Sequence, residues 1–436
     1  MRLLALFILV TATLAAAPAW KAGVSSVVIT PQRPVWMAGY AARTQPSQGV
    51  MHDLHAKALA LDDGSGKPAV LVTTDLLGLT AKVSAAVARA VEKQYGIPRH
   101  RLMLTSTHTH CGPVVGTQLA VAYNLSAEQW ADVGAYSKEL EGRIVSAVGA
   151  AIRDLRPARL KLGRSQAGFA KNRRVAFSPN GPVDHDVPIL RVEDAAGQVR
   201  AAVFGYACHN TTLPPTVCEF NGDYAGYAQV DLERRYPGAR ALFVTGCGAD
   251  ANPHPRGEVD HAKTHGDELA AAVARGMDGE LKEIRGRLRS AYEEVPLDWA
   301  PAPPREEWQR RLEDKSEYTR RHAAEMLKII DRDGRLPATY PYPVQVWRFD
   351  NLTWIALAGE VVVDYTLRLK KAYGPDTWVS AYANDVFAYI PSLRVLKEGG
   401  YEGGGANMFY VQPGPWAESV EEKVVAAVDR LVRKTR

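Results

Sequence analysis

Cysteine is scarce in this sequence of 436 residues, and none of its four cysteines has the C-x-x-C spacing typical of zinc ribbons or thioredoxin-like motifs. We interpret them as buried free thiols or as partners in one disulfide bond, with a thiolate metal ligand or nucleophile as the alternative: Cys111, Cys208, Cys218 and Cys247. Runs of five or six like charges are also missing, and the formal net charge is only +5. This balance argues against a nucleic-acid-binding patch or a membrane-surface patch.

Long hydrophobic runs are missing as well, apart from a short one at the N terminus. Arg2 precedes an apolar run over residues 3–10, and small residues follow as far as Ala19. The run is shorter than the roughly 20 apolar residues that a membrane-spanning helix needs, whereas Ala17-x-Ala19 is typical of a signal-peptide cleavage site. We therefore predict a signal peptide over 1–19, no transmembrane segment, and a secreted or periplasmic protein. An uncleaved N-terminal anchor is the alternative.

The composition is that of a globular protein, with 46% hydrophobic and 23% charged residues. Short apolar runs rich in β-branched residues alternate with longer helical patterns, which indicates the α/β class. We expect a layered mixed β-sheet core flanked by helices, in a single large domain over 20–436. The predicted strands are 67–75, 101–106, 187–192, 199–207, 241–245, 344–349, 352–357 and 378–382. The predicted helices are 82–95, 127–155, 224–235, 261–277, 306–332, 360–372 and 420–434.

Residues 290–339 differ from the rest of the chain. They contain the proline-rich stretch 301–304 and continue into a charged helical pattern over 306–332. Because strand patterns resume afterwards, we predict a surface helical excursion within the domain, not a linker between domains.

Histidines follow two of the predicted strands. His108 and His110 come after the strand over 101–106, and His209 follows the strand over 199–207. If the strand geometry continues, His108 and His110 share a face with their side chains about 7 Å apart. Such residues can serve one metal site, and hydrogen-bonded structural histidines are the alternative. Glu360 follows the strand over 352–357 and opens a predicted helix, where its carboxylate could equally complement the helix dipole.

Four other ionisable residues could take part in the same chemistry. Asp75 ends a predicted strand and either orients a ligand histidine or caps the strand end. His254, just past Asn252 and Pro253, could face the site, but we expect an exposed loop residue. His52 and His55 have helical spacing but no third ligand nearby in sequence, so we predict surface residues.

A series of short strings resembles, in the same order, motifs of the neutral/alkaline non-lysosomal ceramidases. The resemblance extends from about residue 22 to about residue 416, and these strings carry it: Gly39-Tyr40-Ala41, Thr74-Asp75-Leu76, Ser106-Thr107-His108-Thr109-His110-Cys111-Gly112-Pro113, Asn172-Arg173, His209-Asn210-Thr211-Thr212, Gly222-Asp223, Ala358-Gly359-Glu360 and Tyr401-Glu402-Gly403.

The resemblance implies a zinc amidohydrolase with one Zn²⁺ per chain, held by four side chains: His108, His209, Glu360 and, as an unusual phenolic ligand, Tyr389. It places three more side chains around the reacting carbonyl: His110, Arg173 and Tyr401. Zinc with an open position lowers the pKa of its bound water towards about 7. His110 would then take the proton from that water and return it to the leaving amine.

The sequence also departs from the family pattern. In 248–253 the family's Gly-Asp-x-Ser-Pro motif is recognisable, yet Asn252 stands in the serine position. An amide cannot form an acyl-enzyme, but it can donate a hydrogen bond to an oxyanion. We also expect the family's C-terminal β-sandwich to be missing.

The function implied by the resemblance is hydrolysis of the N-acyl amide of ceramide-like lipids. Such a substrate would bring the protein into transient contact with a membrane surface, and no nucleic-acid partner is expected. The alternatives are a zinc hydrolase of the same fold acting on a non-lipid amide or ester, and a non-catalytic binding protein. No oligomeric state is predicted.

Overall fold

The computed structural model describes residues 20–349 and 351–436, so the predicted signal peptide lies outside the described residues. The strands are β1 (Trp20–Val28), β2 (Gly49–Val50), β3 (His55–Asp62), β4 (Ala69–Thr74), β5 (Leu102–Ser106), β6 (Arg156–Gln166), β7 (Ala170–Asn172), β8 (Asp186–Asp194), β9 (Val199–Tyr206), β10 (Glu219–Phe220), β11 (Arg240–Thr245), β12 (Ala251–Pro253), β13 (Lys282–Ile284), β14 (Arg289–Asp298), β15 (Thr339–Arg348), β16 (Thr353–Leu357), β17 (Glu360–Val361), β18 (Trp378–Ser380) and β19 (Tyr389–Ile390). The helices are α1 (Ala81–Tyr95), α2 (Ala127–Arg153), α3 (Asp223–Arg235), α4 (Val259–Asp278), α5 (Arg305–Arg311), α6 (Glu317–Asp333), α7 (Val363–Tyr373), α8 (Leu393–Glu398) and α9 (Val420–Lys434). Within the described ranges, no helix combines the length and the apolar character that a bilayer crossing requires.

The larger sheet is mixed, as predicted. Within the described residues its strand order is β11-β9-β8-β6-β1-β3-β4-β5, and β13 pairs with β6 beside this path. The pairs β11–β9 and β4–β5 are parallel, whereas the strands between them pair antiparallel. The carboxyl ends of β5 and β9 carry the segments that lead to the candidate histidines.

A second sheet, in the order β14-β15-β16-β18, stacks on the first. Alternate residues of β4 face opposite ways: Val70 and Val72 pack with α1 and α2, whereas Leu71 packs in the layer between the sheets. On the second sheet, Trp354 enters that same layer and Ile355 packs with α7 and α9. Both faces of these strands are covered, which explains why they are continuous apolar runs in the sequence. The core is therefore layered as helices, sheet, sheet and helices.

The predicted excursion over 290–339 differs in detail from the structure. Its first part, β14, pairs with β15 along its whole length and belongs to the second sheet. The predicted single helix over 306–332 is two helices, α5 and α6, because Ser316 caps a new helix by accepting a hydrogen bond from the Thr319 N–H at 3.4 Å.

Candidate functional site

The three candidate histidines come together at the carboxyl ends of β5 and β9. The predicted continuation of the strand through His108 is wrong, because the chain turns there through a left-handed conformation with φ 61°. The turn brings the Nε2 atoms of His108 and His110 to 3.2 Å from each other. A parallel bridge between Thr109 and Asn210 ties this loop to the one carrying His209, whose ring centroid lies 4.8 Å from that of His108.

Hydrogen bonds to backbone carbonyls fix the tautomers of two of these histidines. The Nδ1 atom of His108 lies 2.7 Å from the Leu77 oxygen, and that of His209 lies 3.0 Å from the Gly248 oxygen. Because a carbonyl oxygen only accepts, each Nδ1 carries the hydrogen, and each Nε2 presents its lone pair to the site. Metal-binding histidines are oriented in the same way.

Glu360 faces both of these lone pairs. Its Oε2 atom lies 3.2 Å from the Nε2 of His108 and 3.1 Å from that of His209, and it is buried without a hydrogen-bond donor among the described residues. Its Oε1 accepts a hydrogen bond from the Tyr410 hydroxyl. Burial alone would raise the pKa of Glu360, whereas positive charge at the position of the two imidazoles brings it well below its usual range. Burial also lowers the pKa of His209, to about 4.

A carboxylate oxygen and two imidazole lone pairs that converge in a buried space repel one another unless a cation lies between them. The residues present therefore fit a metal ion. The ligand atoms of all three histidines lie within 4.8 Å of one another, so His110 is a competing third ligand. We favour His108 and His209 because a backbone carbonyl orients each of their rings, whereas the Nδ1 of His110 is buried with no partner among the described residues.

Tyr389 reaches the site through a pair of very short strands. β17 and β19 are parallel, with Glu360 directly opposite Tyr389, and the Glu360 N–H donates to the Ala388 oxygen. The predicted helix start at Glu360 is therefore wrong, and α7 begins at Val363. The Tyr389 hydroxyl lies 3.2 Å from the Nε2 of His209. Burial and then the Glu360 charge raise the pKa of Tyr389 well above its usual value, so its oxygen remains protonated unless a metal displaces the proton.

Arg173 follows β7 and connects the site residues of three segments. It donates to Glu402 Oε1 at 2.7 Å, to the Tyr389 hydroxyl at 3.0 Å and to Asn252 Oδ1 at 3.4 Å. Thr211 also donates to Asn252 Oδ1, at 3.4 Å. Because an arginine cannot accept a hydrogen bond, the Asn252 amide turns its oxygen towards Arg173 and keeps its NH₂ group as a donor.

His110 and Tyr401 lie on the outer side of the cluster. The His110 ring packs 4.8 Å from the Tyr40 ring, and a Cβ on Gly39 would lie 2.3 Å from its Nδ1, so only glycine fits there. Burial, and then the neighbouring imidazoles, hold the pKa of His110 well below its usual value. The Tyr401 ring lies 5.3 Å from that of Tyr389 and is 46% exposed, which places it at the mouth of the site.

Asp75 is not an orienting partner of the candidate ligand histidines. Its carboxylate accepts hydrogen bonds from the His55 N–H at 2.9 Å and from the Gln229 amide at 3.0 Å. Both candidate ligands donate to backbone carbonyls instead. Asp75 therefore ties β4 to β3 and α3, which corresponds to the capping alternative.

The remaining sequence candidates lie outside the cluster. His254 is exposed, as predicted. The surface prediction is wrong for His52, which is half-buried and accepts a hydrogen bond from the Gly222 N–H at 2.8 Å; His55 begins a strand, not a helix. All four cysteines are free and buried. Sequence reasoning missed Tyr410 and Glu402, which contact Glu360 and Arg173, although Glu402 lies within a string that carried the resemblance.

The family model for the neutral/alkaline non-lysosomal ceramidase N-terminal region matches residues 20–275, more than half of the chain. The chain belongs to this family. The resemblance seen in the sequence is thereby confirmed, and ceramidase relatives show how far it extends. Neutral ceramidase A of Dictyostelium discoideum is 28% identical over 250 residues, which cover 51% of this chain and 34% of the relative. The neutral ceramidase of Pseudomonas aeruginosa is 25% identical over 295 residues, or 62% and 43% of the two chains.

A crystal structure of the P. aeruginosa neutral ceramidase matches with a TM-score of 0.73 at 20% identity, covering 95% of this chain and 75% of that one. This likeness shows the fold and confirms the predicted α/β class. In sequence, the matched segments cover about a third to two fifths of the length of these two curated ceramidases.

Proposed function

We propose that this chain is a zinc-dependent amidohydrolase that cleaves the N-acyl amide of ceramide-like lipids. Family membership supports the reaction class, and the convergence of two imidazole lone pairs on the donor-free Glu360 oxygen supports the metal. Four side chains would hold one ion: His108, His209, Glu360 and Tyr389. Two nitrogens and two oxygens form a donor set that suits zinc. When bound, zinc would polarise the scissile carbonyl and activate a water molecule.

His110 is the proposed proton carrier. Its ring lies against that of His108 and is neutral at pH 7, so it can accept a proton. In the proposed reaction, His110 takes the proton of the attacking water at Nε2 and returns it to the leaving amide nitrogen. The Nε2 of His110 faces the His108 lone pair at 3.2 Å, and occupation of that lone pair by zinc would free Nε2 to accept a proton.

Asn252 is the proposed donor to the carbonyl oxygen as negative charge develops there. Its oxygen is engaged by Arg173 and Thr211, which leaves its NH₂ group to donate into the site. Arg173 positions Asn252 and Tyr389, and two of its five N–H groups remain for the substrate. Tyr401 narrows the mouth and contacts the substrate there. The second candidate function is hydrolysis of non-lipid amides or esters. Asn252 supports it, because the family serine is missing at this position.

The test measures zinc content and hydrolysis on the same preparations. The protein should bind one zinc ion and release fatty acid from a fluorescent ceramide, whereas His108→Ala should lose both properties. His322→Ala is the matched control, because His322 is also buried but lies beside Trp308 and Gln412, outside the cluster. Turnover of short-chain amides or esters without ceramide would favour the second candidate. Substoichiometric zinc that His108→Ala leaves unchanged would indicate a binding protein instead.

We also propose that the chain is exported with cleavage after Ala19 and that residues 20–436 act as one catalytic unit. The N-terminal charge, apolar run and small residues of the sequence support this proposal. N-terminal sequencing of exported protein should begin at Trp20. An exported protein that retains Met1 would contradict cleavage.

A further inference from the structure

Exposed apolar side chains are concentrated beside the candidate site. Among the large apolar residues exposed in the described ranges, the two aromatic ones are Phe177 and Tyr401, at 47% and 46% exposure, and Val175 is 60% exposed. We call these three residues the apolar rim. Val175 and Phe177 lie in the turn that follows Arg173, which connects them directly to the site.

Phe177 is held in place beside the backbone that precedes Tyr401. A Cβ on Gly400 would lie 2.9 Å from the Phe177 ring, so this ring packs on the backbone next to Tyr401. The Phe177 N–H donates to the Arg174 oxygen at 2.9 Å, which closes the turn. Arg174 in turn donates to Glu402 Oε2 at 2.6 Å, beside Tyr401 in the chain. Buried ion pairs therefore preorganise an exposed apolar surface, which lowers the entropic cost of binding.

The charges around the rim favour one kind of occupant. Arg173 and Arg174 share the buried Glu402, and Arg174 also forms an ion pair with Glu398. Lys171, on β7, precedes the turn; it is exposed and has no ion-pair partner within the described residues. The segment that carries Val175 and Phe177 thus combines exposed apolar side chains with one unpaired positive charge, that of Lys171. Aromatic and apolar side chains flanked by basic residues suit the headgroup region of a phospholipid bilayer.

We propose that the apolar rim docks on a phospholipid bilayer and holds the mouth of the site against the membrane surface. Val175 and Phe177 enter the boundary between headgroups and acyl chains, while Tyr401 lies between the bilayer and the Tyr389 side of the site. The proposal rests on the proposed function, because an N-acyl lipid resides in a membrane and must leave it to reach a buried site.

Vesicle sedimentation tests the docking without requiring hydrolysis. The probes are vesicles of phosphatidylcholine alone and of phosphatidylcholine mixed with phosphatidylglycerol. The double variant Val175→Ser/Phe177→Ser should bind both about tenfold more weakly than wild type, because it loses the buried apolar area of both side chains. The matched control is Val28→Ser/Val230→Ser, which removes two apolar side chains of 43% and 56% exposure outside the rim. Equal binding by wild type and the rim variant, or equal losses in both variants, would overturn the proposal.

Two further measurements keep the proposal testable if the double variant folds poorly. An environment-sensitive dye on Val175→Cys should become more fluorescent with vesicles, whereas the same dye on Val230→Cys should not. Lys171→Gln should weaken binding to the mixed vesicles at low salt and leave binding to phosphatidylcholine unchanged. Absence of the dye response, or a dimer in solution that the rim substitutions dissociate, would reject the bilayer as the occupant.

The outcome is separable from that of the proposed function. Vesicle binding without ceramide hydrolysis would uphold the docking surface and reject the reaction. Hydrolysis of a detergent-dispersed amide without vesicle binding would uphold the reaction and reject the docking surface.

Discussion

Removal of one hydroxyl group, in Tyr410→Phe, should weaken zinc binding. The Tyr410 hydroxyl donates to Glu360 Oε1, and this bond holds the other carboxylate oxygen towards the two imidazoles. Loss of such an outer hydrogen bond typically reduces metal affinity by about 10- to 100-fold, or about 1.4 to 2.7 kcal/mol. Tyr410 also lines a cleft of about 650 Å³, from which a water molecule can replace the hydroxyl. We therefore expect the zinc affinity of Tyr410→Phe to fall by about tenfold, near the lower end of this range.

The assay is competition for zinc between the protein and a chromophoric chelator. Tyr136→Phe is the matched control, because Tyr136 is also buried and its hydroxyl donates one hydrogen bond, to the Ile29 oxygen at 2.8 Å. In the metal-free form the free energy of unfolding should fall by about 1 kcal/mol in Tyr136→Phe, which loses a bond to a neutral carbonyl, and by about 1.5 to 3 kcal/mol in Tyr410→Phe, which loses a bond to a carboxylate. Only Tyr410→Phe should also lose zinc affinity. Wild-type zinc affinity in Tyr410→Phe would refute the placement of Glu360 as a ligand oriented by Tyr410.

Three other predictions concern the site and the fold. Asn252→Ala should lower turnover on the order of 100-fold with zinc content intact; full activity would remove Asn252 from the mechanism. Chelation should lower the melting temperature in calorimetry, because Glu360 then faces two imidazole lone pairs without a cation; an unchanged melting temperature would argue against the metal. Burial lowers the pKa of His322 to about 4, below its ordinary 6.5, so the unfolded chain binds the extra proton between these values. The free energy of unfolding should therefore fall by about 3 kcal/mol from pH 6.5 to 4 in urea titrations, and His322→Gln should lack this part of the decrease; identical pH dependence would contradict it.

The strands could be predicted from sequence because burial on both faces leaves an unmistakable apolar run. The number of sheets could not be predicted from sequence. The run from Val70 to Val72 illustrates the reason, since such a run does not show whether a helix or another sheet covers each face. The second sheet became evident only from the packing of residues such as Trp354 between the layers.

The histidines could be located because they follow strands whose ends meet at one edge. The contacts of Tyr389 and Tyr410 with His209 and Glu360 could not be predicted from local patterns, since they join segments far apart in the chain. The two-residue strand β17 is too short to show a period. Helical periodicity was misleading at Glu360, because pairing with β19 and a left-handed Gly359, with φ 74°, hold the backbone extended until Val363.

The register of β17 on β19 bears on how a correctly folded preparation can be recognised. A slip by one residue would place Glu360 opposite Ile390 and turn successive side chains to the wrong faces. Such a chain could retain both sheets and most of its helices, and circular dichroism would scarcely distinguish it from the correct one. Retention of the proposed zinc ion through dialysis would separate the two populations, so metal content would measure correct assembly before any substrate is added.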